Sequence, residues 1–518
     1  MKFPPVFRAA LIALLFLIIP ARGSAPAIDP QVRKAADLLQ AGKIDEAERE
    51  LSALLRASPR NAQALNLLGI VRGEQSRFEE AEKFFRRALQ ADPRLAGAAV
   101  NLGYLYRRTQ RSEDALSAFA RADRIQPNDP EIMFNLALLR AEAGEHAAAL
   151  GLLDRIPKRN RPPGFAPLLA RSYLALGREE DLKRSIPELR ELVTPYPELI
   201  GELSQLLLNA QLGEIVIELL ESIGGPARDS FALNFNLAEA CEQKGDVAAA
   251  VARYQQALQA EPKSVEALKR LSLIAQRKGN WEEMFQYLAR ARELAPNSAL
   301  MLYGLALAAL RTGRIGESQR AIYQALELEP NSPDYLFLLS ITQMSVSDIP
   351  AAVETFSRYV SFRPQDARGH LGLAAALYLS ARYDEALQRL GKARQLDPSL
   401  TDTLYYLGMI ALNRGDAEKA LEYLNQVVAA EPNHAAARAG LGAVYLKKGD
   451  YGRAKEELET AVRLSPQHAP THYQLSQALV RLNQTEAAER ELKLYQELKT
   501  KEDEARTAAS RLLPEKKN

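Results

Sequence analysis

Between Thr401 and His434, apolar and small residues recur at helical spacing in two runs. Leu404, Leu407, Gly408 and Ala411 form one stripe, which stops at Gly415-Asp416. Ala420, Leu421, Leu424 and Val427 form a second, which ends at Glu431-Pro432-Asn433. A stripe with three- and four-residue steps is the signature of an amphipathic helix, so the segment predicts two short helices joined by a tight turn. The turn glycine takes the left-handed conformation that closes the first helix, and the proline cannot continue the second.

The same pattern returns every 34 residues. Prolines stand at 262, 296, 330, 364, 398, 432 and 466, and earlier at 59, 93 and 127. With that proline counted as position 32 of a repeat, position 8 is always small: Ala35, Gly69, Gly103, Ala137, Ala306, Ala374, Gly408 and Gly442 are examples. Position 20 is almost as strict (Ala47, Ala81, Ala115, Ala352, Ala420), with Met284 as the bulky exception. Small residues at both places let the two helices approach closely, where a larger side chain would overpack the contact by about 1–3 kcal/mol. Gly144, Gly245, Gly279, Gly313, Gly415 and Gly449 occupy the turn.

These residues resemble the tetratricopeptide repeat, whose 34-residue unit has small residues near positions 8 and 20 and a terminal proline. The resemblance extends over roughly residues 28 to 500. It implies an all-α solenoid, a right-handed superhelix of antiparallel helix pairs with about 13–14 repeats,. It also implies that positions 2, 5, 6, 9 and 12 of each first helix look into a concave groove. Position 5 carries Phe134, Phe235, Tyr303, Phe337, Tyr405 and Tyr473, an aromatic ladder that serves either as packing or as contact area for a peptide,. Position 6 carries Asn101, Asn135 and Asn236, whose amides are able to pair with a partner's main chain,. The carboxylate clamp of chaperone-binding members is absent, because Val100, Tyr104, Phe165 and Leu169 stand where its polar residues belong.

Five zones follow from the register: an N-terminal leader over 1–25, a first sub-array over 26–157, a proline-crowded stretch over 158–228, a clean array over 229–499, and a capping helix end with a charged tail over 500–518. The proline-crowded stretch reads as two divergent repeats or as a joint. Residues 1–25 combine Lys2 and Arg8 with an apolar run of 11 residues from Ala9 to Ile19, then small residues around Ala21 to Ala25. That is the pattern of a secretory signal peptide, with an uncleaved N-terminal anchor as the alternative. The run is shorter than the roughly 20 residues that a spanning helix needs. The expected location is therefore extracytoplasmic, periplasmic or secreted, with membrane attachment only if the segment stays uncleaved.

Charge adds little. The whole chain carries +2; removing residues 1–25 takes three basic residues and no acid, leaving −1. No clustered basic footprint of a nucleic-acid binder appears. Cys241 has no second cysteine to pair with and falls on a helix-packing position. The five histidines form no ligand set: His468 and His472 are four apart with Pro470 between them,. Acidic pairs such as Asp45-Glu46 and Asp384-Glu385 sit where second helices begin, which the helix dipole explains,. Neither a phosphate-binding glycine loop nor a nucleophile elbow occurs. No catalytic, cofactor or metal residues are expected, no small-molecule substrate is evident, and the chain reads as a non-enzymatic scaffold that binds protein or peptide partners. The narrower alternative is a periplasmic scaffold for export or assembly of an envelope polymer.

Overall fold

A computed structural model describes residues 29–221, 223–224 and 228–511. The leader over 1–25 and the end of the charged tail, over 512–518, lie outside the described residues. Among those described, the fold consists of 28 α-helices and short 3-10 turns, without strands. The helices pair in sequence, odd-numbered first and even-numbered second. They fall into two compact units, one ending at Ala260 and one beginning at Glu261.

The first unit opens with α1 (Pro30–Gln40), α2 (Ile44–Ala57), α3 (Ala62–Glu74) and α4 (Phe78–Ala91). It continues with α5 (Ala96–Arg108), α6 (Ser112–Ile125), α7 (Pro130–Glu142) and α8 (His146–Leu153). Then come α9 (Phe165–Ala175), α10 (Glu179–Val193), α11 (Pro197–Asn209), α12 (Gly213–Glu221), α13 (Phe231–Lys244) and α14 (Val247–Ala260).

The second unit begins with α15 (Val265–Arg277), α16 (Trp281–Leu294), α17 (Ala299–Arg311), α18 (Ile315–Leu328), α19 (Pro333–Ser345) and α20 (Ile349–Phe362). It goes on with α21 (Ala367–Leu379), α22 (Tyr383–Leu396), α23 (Thr401–Asn413) and α24 (Ala417–Ala430). Its last helices are α25 (Ala435–Lys448), α26 (Tyr451–Leu464), α27 (Ala469–Arg481) and the long α28 (Thr485–Arg511).

One packing element explains the repeat. Position 24, on the second helix, carries a large side chain that is buried in repeat after repeat: Leu51, Phe85, Phe119, Tyr254, Phe356, Leu390, Leu424 and Leu458. Where position 8 of the same repeat is glycine, a Cβ there would lie 2.4–2.8 Å from this side chain, as Gly69 shows against Phe85 and Gly442 against Leu458. Position 6 of the following repeat meets it from the other side: a Cβ on Gly372 would lie 2.5 Å from Phe356, and one on Gly440 3.1 Å from Leu424. Each second helix thus drives a wedge between two first helices. Small residues at position 8 leave room for the wedge, which is why the spacing survives where the rest of the sequence drifts. The exception proves the physics: Leu492, the wedge of the last repeat, has no following first helix and is 38% exposed.

The turns obey a backbone rule more strictly than a residue rule. Position 15 has positive φ in every hairpin, from Gly42 (76°) to Asn483 (57°). Glycine fills it where the sequence pattern predicted it, but Ser76, Gln110, Gln211, Ser347 and Ala381 adopt the same conformation. Each of those non-glycine residues costs about 1–2 kcal/mol relative to a right-handed conformation. Packing of the two helices against each other over-determines the turn.

Side chains also tie neighbouring repeats together at their turns. Arg111 donates to Glu82 at 2.7 Å, Arg314 to Glu282 at 2.8 Å, Arg414 to Asp384 at 2.6 Å and Lys448 to Glu418 at 2.5 Å. These pairs are exposed and contribute little each, about 0–1 kcal/mol; they set register rather than supply stability.

Two helix pairs, α9/α10 and α11/α12, occupy the proline-crowded stretch. Pro187 sits inside α10, where it removes a backbone donor,. Here the second helices α10 and α12 also touch, in addition to the first helices α9 and α11. Elsewhere adjacent first helices touch, as α3 and α5 or α21 and α23 do, without comparable contact between second helices. Within the second unit this asymmetry puts the first helices on the inside of the stack. The terminal helix α28 packs on α27 and also reaches α18. Among the described residues, no helix is long and apolar enough to cross a membrane.

Candidate protein-interaction face

The inside of the stack is formed by the odd-numbered helices, and the position-5 and position-6 residues sit there in two different states. In the first unit they are tied to one another. Asn101 donates from Nδ2 to Oδ1 of Asn66 at 2.9 Å, 35 residues earlier. Asn135 donates from Nδ2 to the Tyr104 hydroxyl and to the Glu131 carbonyl, each at 2.9 Å, and accepts from Arg107 at 3.0 Å. Tyr104 in turn donates to the Glu131 carboxylate at 2.6 Å. Burial pushes the Glu131 carboxyl above its ordinary range, with the Asp129 charge adding to it and the Tyr104 bond opposing it. Burial, and then Glu131 itself, push the Tyr104 hydroxyl far up. Asn101 and Asn135 are both buried, as is Asn236 on α13. Asn101 and Asn135 therefore act as staples between repeats, each spending its Nδ2 on a neighbouring repeat.

The aromatic positions are mostly edges of a packing spine. Phe134 lies beside Gly164, whose Cβ would sit 3.3 Å from the ring. Phe235 stacks on Phe231 and meets Tyr254 edge-on, both with ring centroids 5.3 Å apart. Tyr303 stacks on Tyr335 at 5.1 Å, and Phe337 packs against both Phe356 and Tyr359. Tyr405 meets Tyr406 at 5.0 Å and the His434 ring at 5.6 Å. Burial holds the Tyr405 hydroxyl well above its ordinary value and pushes that of Tyr406 up to about 12. Phe134, Phe235, Tyr303, Phe337 and Tyr405 are all half-buried. Tyr473, against Tyr495 on α28, is 43% exposed.

The most exposed apolar side chains of the inner face are others. Leu300 on α17 is 63% exposed, Val480 on α27 59%, and Leu379 on α21 54%, with Leu273 on α15 also exposed. They occupy positions 2, 12, 13 and 9 of their repeats. Sequence reasoning missed them because it read only positions 5 and 6; leucine or valine at the inward positions 2, 9 and 12 was the available signal.

The remaining candidate chemistry resolves into structure. Cys241 is buried and free, and burial pushes its thiol up, away from reactivity,. His472 is held between the Glu491 carboxylate at 2.5 Å and the Pro466 carbonyl at 3.0 Å, while His468 bonds Thr471. Among the described residues, no group of three or more His, Cys, Asp or Glu side chains converges to hold a metal ion.

Stacked helix pairs with an accessible inner face, tied by staples rather than by reactive groups, define an interaction scaffold. The chain belongs to the tetratricopeptide repeat family. Two family models described as tetratricopeptide repeat match it, one over 32–96 and 303–367 and the other over 74–132, 111–172, 377–444, 411–462 and 445–512. A third, described as the TT21 fifth ARM repeats domain, matches 233–326. No curated protein sequence matches the chain. Among solved structures, the APC/C hetero-tetramer Cut9-Hcn1 is 15% identical, with 88% of this chain and 97% of that chain covered and a TM-score of 0.40. A tetratricopeptide repeat protein from Parabacteroides merdae is 16% identical over 48% of this chain and 98% of its own, with a TM-score of 0.42. YrrB, described as a TPR protein with an unusual peptide-binding site, is 20% identical over 36% of this chain and 95% of its own, with a TM-score of 0.31. Each is a likeness in helical repeat build. Members of the family serve as protein-interaction scaffolds and are generally non-catalytic.

Proposed function

We propose that the protein is an extracytoplasmic scaffold that binds a protein or peptide partner on the inner face of its first helices, chiefly in the second unit. The observation that carries this reading is the set of exposed apolar side chains on the first helices: Leu300, Tyr473 and Val480 at inward positions and Leu379 beside one. Around α5 and α7 the corresponding polar residues Asn101 and Asn135 are bonded within the chain, so the second unit offers the freer surface. The extracytoplasmic location rests on the apolar run of Ala9–Ile19 behind Lys2 and Arg8 and on the small residues that follow it,.

A photo-crosslinking amino acid placed at Leu379 tests the binding role, with one at Leu464 on α26 as the control. The expected result is a defined partner captured from position 379 in living cells and not from 464; equal capture from both positions overturns the assignment of the face. Amino-terminal sequencing of the mature protein tests the location. A start between Ala21 and Pro26 is expected, whereas retention of Met1 on exported protein means an anchor.

A further inference from the structure

Basic side chains of the first unit are sorted onto one edge. Positions 26, 29 and 33 of a repeat are three and four residues apart, on one face of the second helix and in the turn after it. On α2, α4 and α6 they carry Arg56, Arg60, Arg87, Arg94, Arg121 and Arg124, with Ala53, Gln90 and Asn128 in the remaining places and no acid. All six arginines are exposed except Arg121, which is half-buried. The row continues beyond α8 with Arg155, Lys158 and Arg159, also exposed, and Arg155 donates to Asn128 of the repeat before at 2.6 Å. Arg121 likewise donates to the Leu89 carbonyl on α4 at 3.4 Å, and with Arg124 and Gln90 it lines a groove of about 460 Å³ between α4 and α6. Spread along the sequence, these residues form no basic run; the stack brings them together.

The helix dipole favours bases at helix C-termini, but it is the same in the second unit. There α16, α18, α20, α22, α24 and α26 carry only Arg290, Arg358, Lys392 and Arg463 as bases at those positions, against the acids Glu293 and Glu327. The row is therefore more than the dipole explains. Acids near it are engaged or turned away: Asp92 accepts from the Arg94 main-chain N–H at 2.9 Å, one Asp123 carboxylate oxygen is buried, and Asp114 in the groove pairs with Arg111 at 2.7 Å. Asp154, beside Arg155, is exposed. Among the described residues before Leu176, no large apolar side chain is exposed. A folded protein partner docks through aromatic and apolar anchors, and this edge offers none. Bare guanidinium groups suit phosphates, which they pair in bidentate fashion. The apolar run Ala9–Ile19 points to the source of those phosphates, because only residues 20–29 separate it from α1, a reach of at most about 35 Å,. With that run at a membrane, the first unit lies within reach of the headgroups.

We propose that the arginine row of the first unit seats the protein on an anionic phospholipid surface, peripherally and through headgroup phosphates. Neither the row nor its test depends on the inner-face reading of the second unit. The experiment uses the full chain and measures its binding to vesicles of phosphatidylcholine, alone or with about one third phosphatidylglycerol. Two variants carry the same change in charge: R56E/R87E/R94E/R124E in the row, and R290E/R358E/K392E/R463E at the matching positions of the second unit. The neutral row variant R56Q/R87Q/R94Q/R124Q takes over if circular dichroism shows that the first does not fold. The leader, with Lys2 and Arg8, is common to all of them, so its own attachment to vesicles cancels.

Wild type is expected to bind the anionic vesicles about tenfold or more tightly than the neutral ones, and to lose that preference in about 0.5 M salt, where charges are screened within a few Å. The row variants should lose about tenfold in affinity for the anionic vesicles, while the second-unit variant stays within about threefold of wild type. Because the substituted arginines are exposed, melting curves should be unchanged. No preference of wild type for the anionic vesicles, row variants that bind as wild type, or equal loss in the row and second-unit variants overturns the proposal. Glycerol phosphate and polyglutamate separate the other sources of negative charge. Release from vesicles by millimolar glycerol phosphate means a site for a soluble phosphate, and binding of polyglutamate without binding of vesicles means an acidic polymer; either overturns the lipid assignment.

Discussion

Around α5 and α7 the inner side chains hold one another, with Asn66 bonded to Asn101 and Tyr104, Arg107 and Glu131 converging on Asn135. Around α19, α21 and α23 the same helix positions carry aromatic and aliphatic residues that stack at their inner edges and leave Leu379 exposed to solvent. The backbone is the same in both places, and so are the wedge and the left-handed turn. The difference teaches that the repeat fixes where the inner positions are and leaves their chemistry free. A polar set there becomes internal structure, because buried amides and hydroxyls must find partners. An apolar set needs no partner from its own chain and remains available to another.

Four measurements sharpen or break this contrast. The largest effect belongs to the shared wedge. Phe119→Ala in the first unit and Phe356→Ala in the second should each destabilise their surroundings by about 3–5 kcal/mol. Leu492→Ala, at the exposed wedge, should cost less than about 1 kcal/mol. Repeat arrays need not melt as one transition, so local hydrogen exchange is the appropriate readout. A wedge truncation that costs little in only one unit would mean that the two stacks are built differently.

Asn135→Ala comes next. It strips Tyr104, Arg107 and the Glu131 carbonyl of a shared partner and should cost about 1–3 kcal/mol, with faster exchange in α5 and α7. Loss of partner binding without loss of stability in this variant would contradict the staple assignment.

Ala381→Gly, at a turn with φ of 56°, should stabilise the α21–α22 hairpin by about 1 kcal/mol,. A destabilised hairpin would show that the Ala381 methyl is packed rather than strained.

The last effect is a pH slope in the first unit. Burial gives Glu131 a folded pKa above its unfolded value of about 4.5. From about pH 4.5 up to that raised value the folded protein keeps a proton that the unfolded chain has released, so stability falls as pH rises through this window. Glu131→Gln should flatten that slope in exchange-monitored stability between pH 4 and 7. Hydrogen bonds from Gln75 and Arg72 hold Glu48 below its ordinary value. Its contribution runs the other way, present above about pH 4.5 and lost as pH falls. A Glu131→Gln variant with an unaltered slope would remove Glu131 as its source.

Much of the fold was legible because the wedge leaves a trace at fixed spacing. Gly69, Gly103, Gly408 and Gly442 are small for one stated steric reason, and the terminal prolines mark each boundary. The turn was legible through Gly415 and Gly449 but not through Ala381 or Ser347, whose residue types carry no left-handed preference. The inner face was read less well. Asn101 and Asn135 look from sequence like free amides, because nothing local shows that Asn66 and Tyr104 lie within bonding distance 31 to 35 residues away. Leu300 and Val480 stand at inward positions 2 and 12, yet helical periodicity alone does not say which flank of a stripe the neighbouring hairpin covers.

By itself, then, the order of residues determined that the chain forms helix pairs, where each begins and turns, and that every pair leaves an apolar side for its neighbour. Those properties depend on steric and hydrophobic periodicity within some 34 residues. The tertiary structure alone decided which inward groups are satisfied by adjacent repeats and which remain open. That outcome depends on distances between side chains of different hairpins, which become defined only when the hairpins stack.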